Sequence, residues 1–144
     1  MTTEEWLYLE TDDSCAICGA RGRDILTIHH IDCDKTNNAY DNQIVLCHNC
    51  HQAYHQKCVL TKTTITDRKR HLIAKILTQY GVNALKIACR QEDGVPAQPF
   101  LLHHLVDLGY LHAGEEFMYY GDLLVLATFS ATDADRDLVK KWLG

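Results

Sequence analysis

Four cysteines fall in two pairs, Cys15-Ala16-Ile17-Cys18 and Cys47-His48-Asn49-Cys50. Two residues between cysteines let both sulfurs reach one ion from a single turn. Two such turns complete a tetrahedral site, so Cys15, Cys18, Cys47 and Cys50 are expected to hold a structural Zn2+. The 28 residues between the pairs exceed the usual finger spacing of about 15–20, as an inserted strand and loop would require. Histidines crowd the same region, with five of the nine lying between His29 and His55. His51 and His55, four residues apart, would project from one helix face and could hold a second ion. His29 could reach that ion from a facing strand. A lone histidine is usually a solvated or core residue, but five at these spacings around two cysteine knuckles are poorly explained that way. Asp32 and Asp34 are spare carboxylates that could replace a ligand. Cys33, Cys58 and Cys89 are unpaired, and small buried hydrophobes are their default reading.

These side chains need elements to position them. Residues 24–31 (DILTIHHI) alternate in part and are β-branched, which predicts a strand; residues 34–42 are turn-rich and predict a loop. Residues 43–46 are a second strand, and residues 48–59 a helix that begins in the second knuckle. The result is a compact ββα unit. Strand neighbours point to opposite faces, so His29 and His30 would not both aim at one place unless the strand is twisted or bulged there. Residues 1–14 are an acidic arm with a short helix around Trp6.

The second half contains neither repeats nor low-complexity sequence. Residues 66–80 predict a helix capped by Thr66 or Asp67, stopped by Gly81 and buried through Leu72, Ile73, Ile76, Leu77 and Tyr80. Residues 83–91 predict a second helix, and Pro99 opens a third that ends before Gly109. Residues 117–129 form a hairpin around Gly121-Asp122, and residues 133–143 a closing helix that buries Leu138, Val139 and Trp142. The fold class is therefore α+β: a zinc-stapled ββα-metal unit over residues 1–60, then a helical domain with a β-hairpin over residues 61–144. Three helices and a hairpin resemble a winged helix in topology.

From Cys15 to His55 the chain resembles the HNH, or ββα-metal, endonuclease family. The resemblance rests on His29-His30-Ile31-Asp32 on a strand, Asn42 five residues before Cys47, Cys50-His51, and His55 one turn later. It implies an HNH endonuclease, a phosphodiester hydrolase, with His29, His51 and His55 holding a catalytic divalent metal (Mg2+, Mn2+ or Zn2+). It also implies that His30 is the general base and that Asn42 ties down the loop. An imidazole titrates near about 6.5, which suits a base at neutral pH. Many relatives have a Gly-Gly turn in this loop; here Thr36-Asn37-Asn38 stands in its place, and asparagine tolerates left-handed backbone.

Composition bounds the rest. No apolar run approaches the roughly 18–20 residues that span a bilayer, and the acidic N-terminus lacks a signal peptide's basic start. Together these point to an intracellular, cytoplasmic protein with no membrane partner. The net charge is −5, yet residues 61–90 hold seven Lys/Arg against one Asp/Glu. Arg68, Lys69 and Arg70 in that stretch are expected to be exposed and to dock the phosphates of a nucleic-acid partner, DNA in the first instance. The bland reading of such a stripe is a solvated helix face. The alternative function is a non-catalytic zinc-binding module or adaptor that binds nucleic acid or protein. The acidic half with its Lys- and Arg-free helix (residues 100–108) is the more suitable protein-contacting surface.

Overall fold

The computed structural model describes residues 1–56 and 60–144. The chain divides into two compact units, Met1–Ile76 and Leu77–Gly144.

The first unit opens on α1 (Thr3–Glu10), started by a capping box between Thr2 and Glu5. The short helix expected near Trp6 is thus present, and Leu7, Tyr8 and Glu10 are buried rather than held in a free arm. Strands β1 (Leu26–His30) and β2 (Gln43–Cys47) pair antiparallel, from Leu26 opposite Cys47 to His30 opposite Gln43. The register runs without a bulge, so the expected distortion at His29-His30 is absent. Every residue of β2 is buried, as befits a short strand covered on both faces. Helix α2 (His48–His55) follows at once, capped by the Cys47 side chain, whose Sγ accepts from the Cys50 N–H. The helix was expected to reach residue 59; residues 57–59, Cys58 among them, lie outside the described residues.

The segment α3 (Lys62–Ala88) is helical except at Thr78, where φ is 60° and ψ 163°. Its first part starts at the Thr61 hydroxyl, which accepts from the Thr64 N–H, five residues before the expected cap. The Thr78 hydroxyl accepts from the Gly81 N–H, so Thr78 ends one helix and caps the next. The break falls before Gly81 because Gly81 is needed inside the second helix: a Cβ there would stand 3.3 Å from the Leu105 Cδ1. It also leaves Tyr80 exposed instead of on the buried face, where Leu72, Ile73 and Leu77 remain.

The rest of the second unit is β3 (Val95–Ala97), α4 (Pro99–Asp107), β4 (Leu111–Tyr120), β5 (Leu123–Ala131) and α5 (Asp133–Leu138), then a π-helical turn over Val139–Leu143. The sheet order is β3-β5-β4, all antiparallel. Strand β3 was not expected, because Pro96 cannot donate to a ladder; it is tolerated here at the sheet edge. The expected hairpin turns at Gly121, φ 62°. Leu102, Leu105, Ala127, Phe129, Leu138 and Trp142 form its core. Helices and antiparallel sheets with a four-cysteine cluster near the start make the chain α+β, as its sequence implies.

Candidate metal centre

Cys15, Cys18, Cys47 and Cys50 bring their sulfurs within 4.8 Å of one another. A zinc–sulfur bond of about 2.3 Å sets tetrahedral sulfurs about 3.8 Å apart, and Cys18 Sγ lies 3.6 Å from Cys47 Sγ. The first knuckle is closed by Gly19 N–H to Cys15 O and Cys15 N–H to Ala20 O. It is tied to β2 by Ala16 N–H to Val45 O. Burial opposes ionisation of the Cys15 thiol. Donors from the Cys18, Cys47 and Ile17 backbone outweigh it and hold that thiol at about 7. Burial and the neighbouring thiols push Cys50 up. Four thiols this close shed their protons together only if a cation takes their place, so the donor set fits Zn2+.

A second cluster lies between β1 and α2. One ring nitrogen from each of His29, His51 and His55 falls within the same 4.8 Å. His51 Nε2 and His55 Nε2 are 3.0 Å apart, and the ring of His29 sits 5.0 Å and 5.8 Å from theirs. His29 is 3% exposed, and its Nε2 is buried with no hydrogen-bond partner among the described residues. A buried ring nitrogen seldom goes unpaired, and here it points among two other imidazoles. Burial first, then the positive charge that His51 and His55 would carry, depresses His29 to about 4. Burial first, then the charges of His55, His48 and Lys35, lower His51. Both are therefore neutral at pH 7, the form in which imidazole ligates a metal. Three nitrogens with room left for water or substrate fit a divalent ion of the catalytic kind.

His30 lines the same recess as His29, His51, His55 and Lys35. It gets there without a bulge, because it is the last residue of β1 and the chain turns away at Cys33, whose φ is 63°. Its Nε2 donates to Asn38 Oδ1 at 2.9 Å, and Gln43, its cross-strand partner, lies 3.2 Å from the same nitrogen. That arrangement leaves Nδ1 able to accept a proton. Asn42 is 2% exposed. Its amide donates to Asp32 Oδ1 and Asn37 O and accepts from the Asp32 N–H, spanning the loop without touching His30.

Several expectations are corrected here. Asp32 and Asp34 hold the loop, accepting from Asn37, Asn42 and Thr36, and are not spare ligands. The left-handed loop residue is Cys33, not an asparagine, and Cys33 is exposed rather than buried. Lys69 is not an exposed phosphate ligand. It is fully buried, with Nζ 2.8 Å from Glu10 Oε1, 3.0 Å from Oε2 and 3.8 Å from the Tyr40 ring centre. The spacing carried that signal: Ile65, Lys69, Leu72 and Ile73 recur as one helical stripe, and Lys69 sits on the apolar side of it. Arg68 and Arg70 are exposed; Arg70 pairs with Asp67 at 3.6 Å. Asn38, Gln43 and Lys35 were missed because only the pairing of β1 with β2 and the course of the loop bring them to His30.

Residues 15–57 match the HNH endonuclease family model. That segment runs from the first knuckle past the end of α2 and contains both clusters. No curated protein and no solved structure matches the chain. Among the described residues no helix is long and apolar enough to cross a membrane.

Proposed function

We propose that the first unit is a metal-dependent phosphodiester hydrolase that cuts nucleic acid, DNA in the first instance. The observation that carries the reading is the trio His29, His51 and His55, whose ligand nitrogens lie within 4.8 Å of each other, with His30 on the same recess. Bound there, a divalent ion would neutralise the scissile phosphate and assist the departing oxygen.

The chain's own residues supply the remainder. Asn38 holds the His30 proton on Nε2, so Nδ1 is the atom that takes the proton of the attacking water. From the neighbouring strand the Gln43 amide donates to the same Asn38 Oδ1 and so steadies the acceptor of the His30 proton. Asn42 fixes the loop that carries Asn38, as the family resemblance implies for its central asparagine. Lys35, at the rim of the recess, is placed to meet a phosphate oxygen.

The test is cleavage of plasmid, single-stranded and branched DNA with added Mg2+, Mn2+ or Zn2+. His30→Ala is expected to slow cutting by at least about 100-fold, a general base being worth about 10²–10⁴, with zinc content and melting temperature unchanged. A His30→Ala protein that cuts like wild type overturns the assignment. DNA binding without cutting by wild type on every substrate favours the non-catalytic module.

A further inference from the structure

On the first unit, apart from the histidine recess, lies a polar cavity of about 230 Å³ walled by one face of α3 and by the turn that leads from α1 into the first knuckle. Its walls include Arg68, His71 and Lys75 from α3 and Thr11 and Ser14 from the turn. None of these lines the histidine recess.

The three basic side chains recur at i, i+3 and i+7, which places them on one side of the helix. Their hydrogen bonds go to main-chain carbonyls rather than to acids. Arg68 Nε donates to Ala16 O at 2.7 Å, Lys75 Nζ to Glu10 O at 3.2 Å, and His71 Nδ1 to Asp67 O at 2.8 Å. Among the described residues neither Arg68 nor Lys75 forms an ion pair, whereas Arg21, Arg23, Arg70 and Arg136 all do. The one carboxylate in the wall, Glu10, is already matched by buried Lys69 and by the Tyr40 hydroxyl. Among the described residues Arg68 is held through Nε, which leaves its two terminal nitrogens to grip a tetrahedral oxyanion side by side. The Arg68 bond to Ala16 also fixes the guanidinium in place before any ligand arrives, lowering the ordering cost of binding.

We infer that this cavity, built by Arg68, His71 and Lys75, seats a backbone phosphate of the nucleic acid away from the bond that is cut. This rests on the reading of the protein as acting on nucleic acid. It replaces the run Arg68-Lys69-Arg70 by the residues that share a helix face. A single anchored phosphate fixes where the polynucleotide lies on an otherwise near-neutral unit, and carries no base sequence information.

The experiment measures equilibrium binding of a short labelled DNA duplex to the whole zinc-loaded protein across a salt series, with no further metal added. Arg68→Gln with Lys75→Gln is expected to weaken binding and to flatten the slope of log affinity against log salt by about 0.9, the value of one phosphate contact. Lys75→Gln alone, which leaves the Arg68–Ala16 anchor in place, is expected to flatten it in the same direction and keeps the test readable if the double variant folds poorly. Arg70→Gln, on the same helix but outside the cavity, is expected to leave the slope unchanged. An equal loss in Arg70→Gln overturns the proposal in favour of a diffuse basic helix face. Inorganic phosphate titrated into wild type should shift the amide signals of Ser14, Ala16 and His71 and should not do so in the double variant. Phosphate shifts in the wild type with an unchanged DNA slope in the variants mean a small-anion site and overturn the backbone assignment. The two readings fail separately. Active cutting with a slope indifferent to Lys75 defeats the cavity alone, and binding through the cavity without His30-dependent cutting defeats the hydrolase alone. Absence of DNA binding by wild type defeats both.

Discussion

Asp135 shows how much one carboxyl can matter. It is fully buried, and neither oxygen has a hydrogen-bond partner among the described residues. Burial pushes it up to about 6, a rise that the Cys89 thiol and Arg136 only partly offset. The native state therefore holds this proton more tightly than the unfolded chain, whose carboxyl titrates near 3.8. Its contribution is fully present below the unfolded value and is lost as pH climbs through about 6. Asp135→Asn is expected to stabilise the second unit at pH 7–8 by about 2 kcal/mol, and the advantage should vanish near pH 4. Denaturant melts of both proteins across that range check it. At the metal centre, His51→Ala should cut catalytic-metal affinity and activity while leaving the zinc content near one ion per chain, measurable by metal analysis after dialysis. A coincident loss of both metals would merge two clusters that the geometry keeps separate.

The elements differ in how openly the sequence declared them. The knuckles and the i, i+4 histidines were legible because both ligand sets are built from local spacings, which a turn or a helix converts directly into geometry. The His30 partners were not, since Asn38 and Gln43 reach it only through loop course and strand register. Lys69 was open to a reading by helical period and was misjudged by charge alone. That residue ties α3 to α1 through Glu10, which gives the acidic N-terminal helix its purpose in the core. Lys69→Ala strands a buried carboxylate and is expected to cost about 3–5 kcal/mol, whereas replacing Lys69 by Met and Glu10 by Leu together should recover most of the loss. A double-mutant cycle by urea melts decides this. If the single substitution costs under about 1 kcal/mol, as an exposed pair would, the pair is not the buried lock described.

At the scale of the whole chain, charge and metal divide the labour. The first unit carries nine Lys/Arg against ten Asp/Glu and the second five against nine. A near-neutral first unit followed in the chain by an acidic second one predicts weak, strongly salt-dependent duplex binding, with substrate choice set by shape or by a delivering partner. Only the first unit contains a metal cluster among the described residues. Chelation of the structural zinc, or Cys50→Ser, is expected to abolish cooperative unfolding of the first unit, because structural zinc binding is itself folding free energy. The second unit should retain its own transition. Two calorimetric transitions, of which the chelator removes one, are the expected outcome; their joint disappearance would mean that the second unit depends on the first.

The four clustered cysteines are not equally sheltered. Cys15 and Cys47 are buried, Cys50 is half-buried and Cys18 is exposed. Peroxide will therefore meet Cys18 first, and a sulfur carried to the sulfenic or sulfinic level no longer serves as a thiolate ligand. A zinc ion held there would be released with one ligand gone, and with it the scaffold that holds β1, β2 and α2 around the three histidines. The exposed knuckle thus makes the surrounding redox balance an upper limit on the working life of the whole site, a limit reached by oxidation at a position that never touches the substrate.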